Sequence, residues 1–254
     1  MLNIKSKHEI ELMKSAGKIV GELLNILEEK IVPGITTKEL DIIAEKYIIE
    51  CGAFPSFKGF PGHGSAPDFP ASICSSVNDE VIHGIPGSRV LHDGDIISID
   101  VGACYKGYHG DAARTFGVGK CSSEASRLIT VTRDSFFKGV EKAVAGNRVI
   151  DVSGAIQDHV ESNGFSLVRE FTGHGIGRGL HEEPEVPNYR GRVRGIRFIP
   201  GVAIAVEPMV NAGGTGIYVA RDGWTVKTSD KSLSAHYENT IIVTDGEPII
   251  TTLV

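Results

Sequence analysis

Cysteine, positive charge and long apolar runs are all scarce in this chain. Its four cysteines, Cys51, Cys74, Cys104 and Cys121, stand far apart with no Cys-x-x-Cys pair and no secretory segment after Met1, so reduced thiols in a cytoplasm are expected. No apolar stretch approaches the roughly 18 to 20 residues that span a bilayer, which argues against a transmembrane role. Twenty-six Lys and Arg against 32 Asp and Glu leave a formal charge of −6, the wrong sign for a surface whose main business is DNA. Arg190, Arg192, Arg194 and Arg197 form the one basic run. Interrupted by Gly191, Val193 and Gly195, it reads as a solvated strand or loop, with contact to ribosomal RNA as the lesser alternative. What remains is the composition of an ordinary globular protein. Its 254 residues, 41% hydrophobic and 23% charged, support one large or two small cores.

One carboxylate-bearing pattern occurs twice. Asp-Gly-Asp-Ile-Ile-Ser-Ile-Asp ends at Asp100, and Pro-Gly-Val-Ala-Ile-Ala-Val-Glu ends at Glu207. His109-Gly110-Asp111 with Gly119 downstream is matched, at the same spacings, by His236-Tyr237-Glu238 with Gly246 downstream. Asp100 therefore pairs with Glu207, and Asp111 with Glu238. Both Asp100 and Glu207 close apolar runs, and acids at the ends of buried strands repel one another unless a cation sits among them. Four carboxylates placed by a duplicated scaffold point to divalent metal.

The rest of the chain follows the duplication. A capping box at Ser6 to Glu9 starts a helix reaching Lys30, and Thr36 to Glu39 starts a second, stopped by Gly52. Helices are expected again over Ser123 to Val144 and Asp151 to Ser162, the latter stopped by Gly164. Gly34 and Gly146 precede the two shorter helices at equal distance from their stops. Strands are expected over Ile96 to Cys104, Ala112 to Val118, Val202 to Val210, Ile217 to Val219, Trp224 to Lys227 and Thr240 to Val243. The outcome is an α+β chain of pseudo-twofold halves, about 1–120 and 121–254. Curved antiparallel sheets and flanking helices bury a site between them. No linker divides the halves, so 1–254 is expected to be a single domain.

A two-residue turn at Lys106-Gly107 sets the first acids in space. Tyr105 then opposes Tyr108 and Gly102 opposes Asp111, so Asp100 and Asp111 share a face as diagonal neighbours about 7 Å apart or less, with Gly102 leaving room. The long loop before Glu238 leaves its meeting with Glu207 undetermined by the same argument. His83-Gly84-Ile85 and His174-Gly175-Ile176 form a further echo. The glycines around His174 let backbone and imidazole approach a site closely. Their spacing does not match a phosphate loop, and His181-Glu182-Glu183-Pro184 lacks the second His of a zinc-protease helix. His8, His92, His159 and His63, the last in the loop Pro61 to Pro67, are expected at the surface.

Ser-Ile-Asp100-Val-Gly, Gly-Asp111-Ala-Ala, Gly-His174-Gly-Ile-Gly, Val-Glu207-Pro-Met and Tyr-Glu238-Asn-Thr closely resemble the methionine aminopeptidases of the bacterial type I class, nearly end to end. The resemblance implies the pita-bread fold of the creatinase and aminopeptidase group and two divalent ions, of Co, Mn, Fe or Zn. Asp100 would hold one ion, Asp111 and Glu238 would bridge, and His174 with Glu207 would complete the other. It implies that Glu207 shuttles a proton, His181 steadies an oxyanion and His83 contacts the amide beyond the cleaved bond. Phe69, Cys74, Leu180 and Trp224 occupy positions of an apolar methionine pocket. The expected activity is removal of the initiator methionine from nascent chains when the second residue is small, by a cytoplasmic monomer in transient contact with the ribosome. A monovalent cation near Asn78 and Ser234 is also implied. Leu180 stands where an aromatic is common, His236 where Gln is frequent, and residues 61–68 look like an insertion beside the pocket. Proline-directed relatives of the same fold usually carry a further N-terminal domain, for which this length leaves no room.

Overall fold

The computed structural model describes residues 2–62, 64 and 66–254. Helix α1, Lys7–Lys30, opens on the expected capping box: the Ser6 hydroxyl accepts the Glu9 N–H, and the Glu9 carboxylate accepts the Ser6 N–H at 2.9 Å. Its buried stripe of Met13, Val20, Leu23 and Leu27 contributes about 1.5–3 kcal/mol per large apolar side chain removed from water. Helix α2, Thr37–Glu50, has the same box from Thr36 and Glu39. Helix α3, Ser123–Val140, stops short of Val144. Lys142 and Ala143 donate to Gly139 and Val140, so the last turn tightens to i→i+3 bonds before the chain leaves. Helix α4, Val149–Ser162, begins two residues earlier than expected, because the Asp151 carboxylate reaches back to the Arg148 N–H at 2.7 Å. The duplication is visible in the backbone. Gly34 and Gly146 have φ of +102° and +96°, and Gly52 and Gly164 have φ of +70° and +76°, values that L side chains rarely adopt.

The long hairpin Ile96–Tyr105 and Tyr108–Gly117 turns on Lys106 and Gly107, both at positive φ. Its register pairs Tyr105 with Tyr108 and Gly102 with Asp111 as expected. Strands Ile73–Val77 and Phe54–Pro55 complete that sheet antiparallel to Ile96–Tyr105. In the second half the expected strand 202–210 is two strands in different sheets, Ala203–Val206 and Met209–Asn211. Pro208 has no N–H for the ladder, and the break leaves Glu207 outside both strands. Ala203–Val206 lies in a five-stranded sheet between Gly173–Gly175 and Asn239–Ile242. Strand Ile217–Val219 is as expected; Val226–Thr228 begins after Trp224 because the Asp222 side chain takes the Trp224 and Thr225 N–H groups.

Each half has its own apolar core. One lies around α1, α2 and the hairpin, with Leu23, Leu40, Ile97 and Val101. The other lies under α3 and α4, with Phe136, Ile156, Ile204 and Val210. A third cluster, including Phe69, Cys74, Leu180 and Trp224, occupies the space where the halves meet. No helix among the described residues is long and apolar enough to cross a membrane, and all four cysteines are free thiols.

Candidate metal centre

The hairpin register places Asp100 across from Ala113 and Asp111 across from Gly102, so the two acids are diagonal neighbours on one face. Ala113 and Glu238 exchange both backbone hydrogen bonds, at 2.9 and 3.2 Å. Asp100, Ala113 and Glu238 thus form one row, two from the hairpin and Glu238 from the gap between strands Ser234–His236 and Asn239–Ile242, and the small Ala113 side chain keeps the floor of the site low. The space above Gly102 serves a different purpose from the one expected. A Cβ there would stand 2.7 Å from the Phe57 ring and 2.8 Å from the Ser56 Cβ, so the missing side chain admits Phe57 rather than opening the acids.

His174 completes the cluster from the five-stranded sheet. Its Nδ1 pairs with the Gly175 carbonyl at 2.8 Å, which puts the ring proton there and leaves the Nε2 lone pair for the site. Nε2 lies 3.6 Å from Glu207 Oε1 and 3.9 Å from Asp111 Oδ2, beyond hydrogen-bond reach. Asp111, His174 and Glu238 each offer a donor atom within 4.8 Å of the others, as do Asp100, His236 and Glu238. All five residues expected as ligands are therefore brought together, and His236 joins them.

These donors fit divalent ions. Asp100 Oδ1, Asp111 Oδ1, Glu238 Oε1 and His236 Nε2 are buried with no hydrogen-bond partner among the described residues, a costly arrangement for atoms that only shape a fold. Burial pushes Asp100 up to about 7. Burial and the neighbouring carboxylates push Asp111, Glu207 and Glu238 well above the usual carboxylate range. Burial holds His174 down at about 4 and His236 at about 3, so neither supplies positive charge at neutral pH. Arg114 donates to the Glu238 carbonyl at 2.5 Å and to Asn239 Oδ1 at 2.6 Å, with its guanidinium 4.2 Å from the Tyr237 ring centre. It holds the backbone beneath Glu238 and leaves four acids short of countercharge. Oxygen-rich sites with one or two imidazoles suit Mn, Fe, Co and Zn.

A cavity of about 730 Å³ opens over the acids, and Phe69, Cys74, His83, Leu180, His181 and Trp224 all line it. Trp224 meets Phe69 edge to face at 5.2 Å, and His83 at 6.2 Å. His181 stands at the exposed rim with its ring 4.4 Å from His174 and 5.2 Å from Phe60; partial desolvation lowers its pKa. Phe57, Phe60 and Phe171 also line the cavity and were not among the residues expected there; the density of Phe between residues 54 and 69 was the available signal for the first two, and Phe171 had none. Of the 61–68 segment, Pro67 adjoins the pocket wall, since Trp224 Nε1 donates to its carbonyl at 2.8 Å. His8 and His92 are exposed as expected, and so are the four arginines of the basic run. His159 is not a surface residue: it is half-buried with Nε2 enclosed, because on α4 it shares a face with the fully buried Val152 and Ile156, seven and three residues back. His63 lies outside the described residues.

Residues 11–245 match the model of metallopeptidase family M24. A methionine aminopeptidase of Clostridium perfringens is 57% identical over 254 residues, covering 100% of both chains. The crystal structure of a methionine aminopeptidase from Thermotoga maritima aligns over 100% of both chains with a TM-score of 0.95 at 41% identity. A prolidase from Pyrococcus furiosus, at 22% identity and a TM-score of 0.79, covers 99% of this chain and 65% of its own, and shares the fold alone. The chain is thus a metallopeptidase of family M24 with that family's pita-bread fold. Within the family it belongs with the methionine aminopeptidases.

Proposed function

We propose that this chain is a dinuclear-metal aminopeptidase that removes the initiator methionine from nascent proteins whose second residue is small. The observation that carries this reading is the convergence of buried, unpartnered carboxylate oxygens and the free His174 Nε2 at the floor of an apolar cavity. Asp100, Asp111 and Glu238 would hold one divalent ion, and Asp111, His174, Glu207 and Glu238 the other. Two such ions supply Lewis-acid polarisation of the scissile carbonyl and an acidified water.

The chain's own side chains do the rest. Glu207 takes the proton from the attacking water and passes it to the leaving amine. His181, at the rim beside His174, steadies the developing oxyanion, and His83 contacts the amide beyond the cleaved bond. Phe69, Cys74, Leu180 and Trp224 receive the unbranched methionine side chain, while the acidic floor selects a free α-amine over an internal peptide. The single catalytic domain is read as a cytoplasmic monomer that meets nascent chains in transient contact with the ribosome. A monovalent cation belongs to the same reading near Asn78, whose carbonyl accepts the Ser234 N–H at 2.9 Å.

The test is hydrolysis of Met-Ala-Ser against Xaa-Pro peptides after Mn(II), Fe(II) or Co(II) is restored to metal-free protein. Preferential release of methionine is expected. Preferential Xaa-Pro cleavage, or no turnover with any of the three ions, would overturn the reading.

A further inference from the structure

Glu238 is shared by two groups of possible metal donors. One contains His174; the other contains His236, an imidazole outside the five residues that the sequence motifs single out. His236 is the last residue of the short strand Ser234–His236. Its backbone is held on both sides by one side chain of the first half: the His236 N–H donates to Thr115 Oγ1 at 2.8 Å, and that hydroxyl donates to the His236 carbonyl at 2.9 Å. The ring is 2% exposed, and its Nε2 is buried without a hydrogen-bond partner among the described residues. Nε2 lies 3.7 Å from Glu238 Oε2, too far for a hydrogen bond. That separation suits two donors about 2.1 Å from a common ion at an angle near 120°. Asp100, the third member of the group, likewise has a buried oxygen with no partner among the described residues.

We propose that His236 is a ligand of the ion held by Asp100, so that each of the two ion positions receives one imidazole, His174 on one side of Glu238 and His236 on the other. The inference rests on reading the acidic cluster as a dinuclear metal centre. A glutamine at this position would offer a hard amide oxygen; the imidazole offers a softer nitrogen, which tilts the Asp100 position towards Fe, Co and Zn and away from Mn. A purely structural His236 would instead keep Nε2 protonated and turned towards Glu238 without bonding an ion.

Scalar coupling separates the two. Metal-free protein labelled with 15N-histidine is loaded with two equivalents of 113Cd(II), and the ring nitrogens are read by NMR, with His236→Gln providing the assignment. Two Nε2 resonances, from His174 and His236, are expected to split by coupling to 113Cd. Splitting at His174 alone, with two Cd(II) bound, would overturn the role of His236 and leave the metal centre standing; failure of Cd(II) to bind at all would overturn both. Competition between Zn(II) and Mn(II) gives a second reading. The wild-type preference for Zn(II) at the Asp100 position is expected to exceed that of His236→Gln by about tenfold, and an equal preference would count against the inference.

Discussion

The Thr240 hydroxyl closes both backbone hydrogen bonds of Asp111: it accepts the Asp111 N–H at 3.0 Å and donates to the Asp111 carbonyl at 3.0 Å. An acid from one half is thus clasped by a side chain from the other. Thr115 returns the same service to His236, and between these two clasps Ala113 and Glu238 exchange backbone bonds. The residues facing the site are zipped in register across the two halves. Thr240→Val keeps the shape and removes both partners, leaving a buried N–H and C=O unpaired. It is expected to destabilise the protein by about 2 kcal/mol and to weaken divalent-ion binding about tenfold. Urea denaturation and metal titration check this; an unchanged midpoint would contradict it.

Glu207→Gln separates chemistry from folding. The amide removes one carboxylate from a cluster in which burial and the Asp100 charge already oppose ionisation, so the metal-free protein is expected to melt no lower than wild type. Turnover of Met-Ala-Ser should fall by a factor of about 10² or more, as a positioned acid–base group is lost. Near-normal kcat would remove Glu207 from the proton path.

The metal-free protein should lose stability as pH rises. Asp100 titrates at about 7 and Asp111, Glu207 and Glu238 well above the carboxylate range, so the folded state holds protons that the unfolded chain releases near pH 4. His174 and His236, at about 4 and 3, act in the opposite sense, adding stability as pH rises to about 6.5 and nothing beyond. Above that point the acids act alone. The melting temperature of metal-free protein is expected to drop between about pH 6.5 and 8.5, and saturating Mn(II) to abolish the drop by binding the folded state. A flat or rising metal-free curve would contradict the assignment.

Trp224 ties the segment at Pro67 to the pocket wall through its bond to the Pro67 carbonyl. Trp224→Phe keeps an aromatic against Phe69 but releases that segment. KM for Met-Ala-Ser is expected to rise several-fold with kcat changed less. An unaltered KM would mean the segment has no part in binding.

The legible parts of this molecule were those set by local chemistry. Both capping boxes, the Lys106-Gly107 turn and the diagonal placement of Asp100 and Asp111 follow from neighbouring residues, and the structure has them at those positions. What was not legible depends on partners distant in sequence. Pro208 beside Glu207 was a local signal that the strand stops, but nothing near it says that the chain resumes in another sheet, and strands of three residues such as Gly173–Gly175 exist because of the strands beside them. The roles of Arg114 and Thr240 beneath the acids arise from contacts spanning about half the chain, and Phe57 takes the space at Gly102 for the same reason.

Anomalous diffraction from crystals loaded with Mn(II) tests the shared ion centre most directly. Two peaks are expected, one within coordination distance of Asp100, Asp111 and Glu238, the other of Asp111, His174, Glu207 and Glu238. Full Mn(II) saturation with no anomalous peak bonded to these side chains would contradict the account.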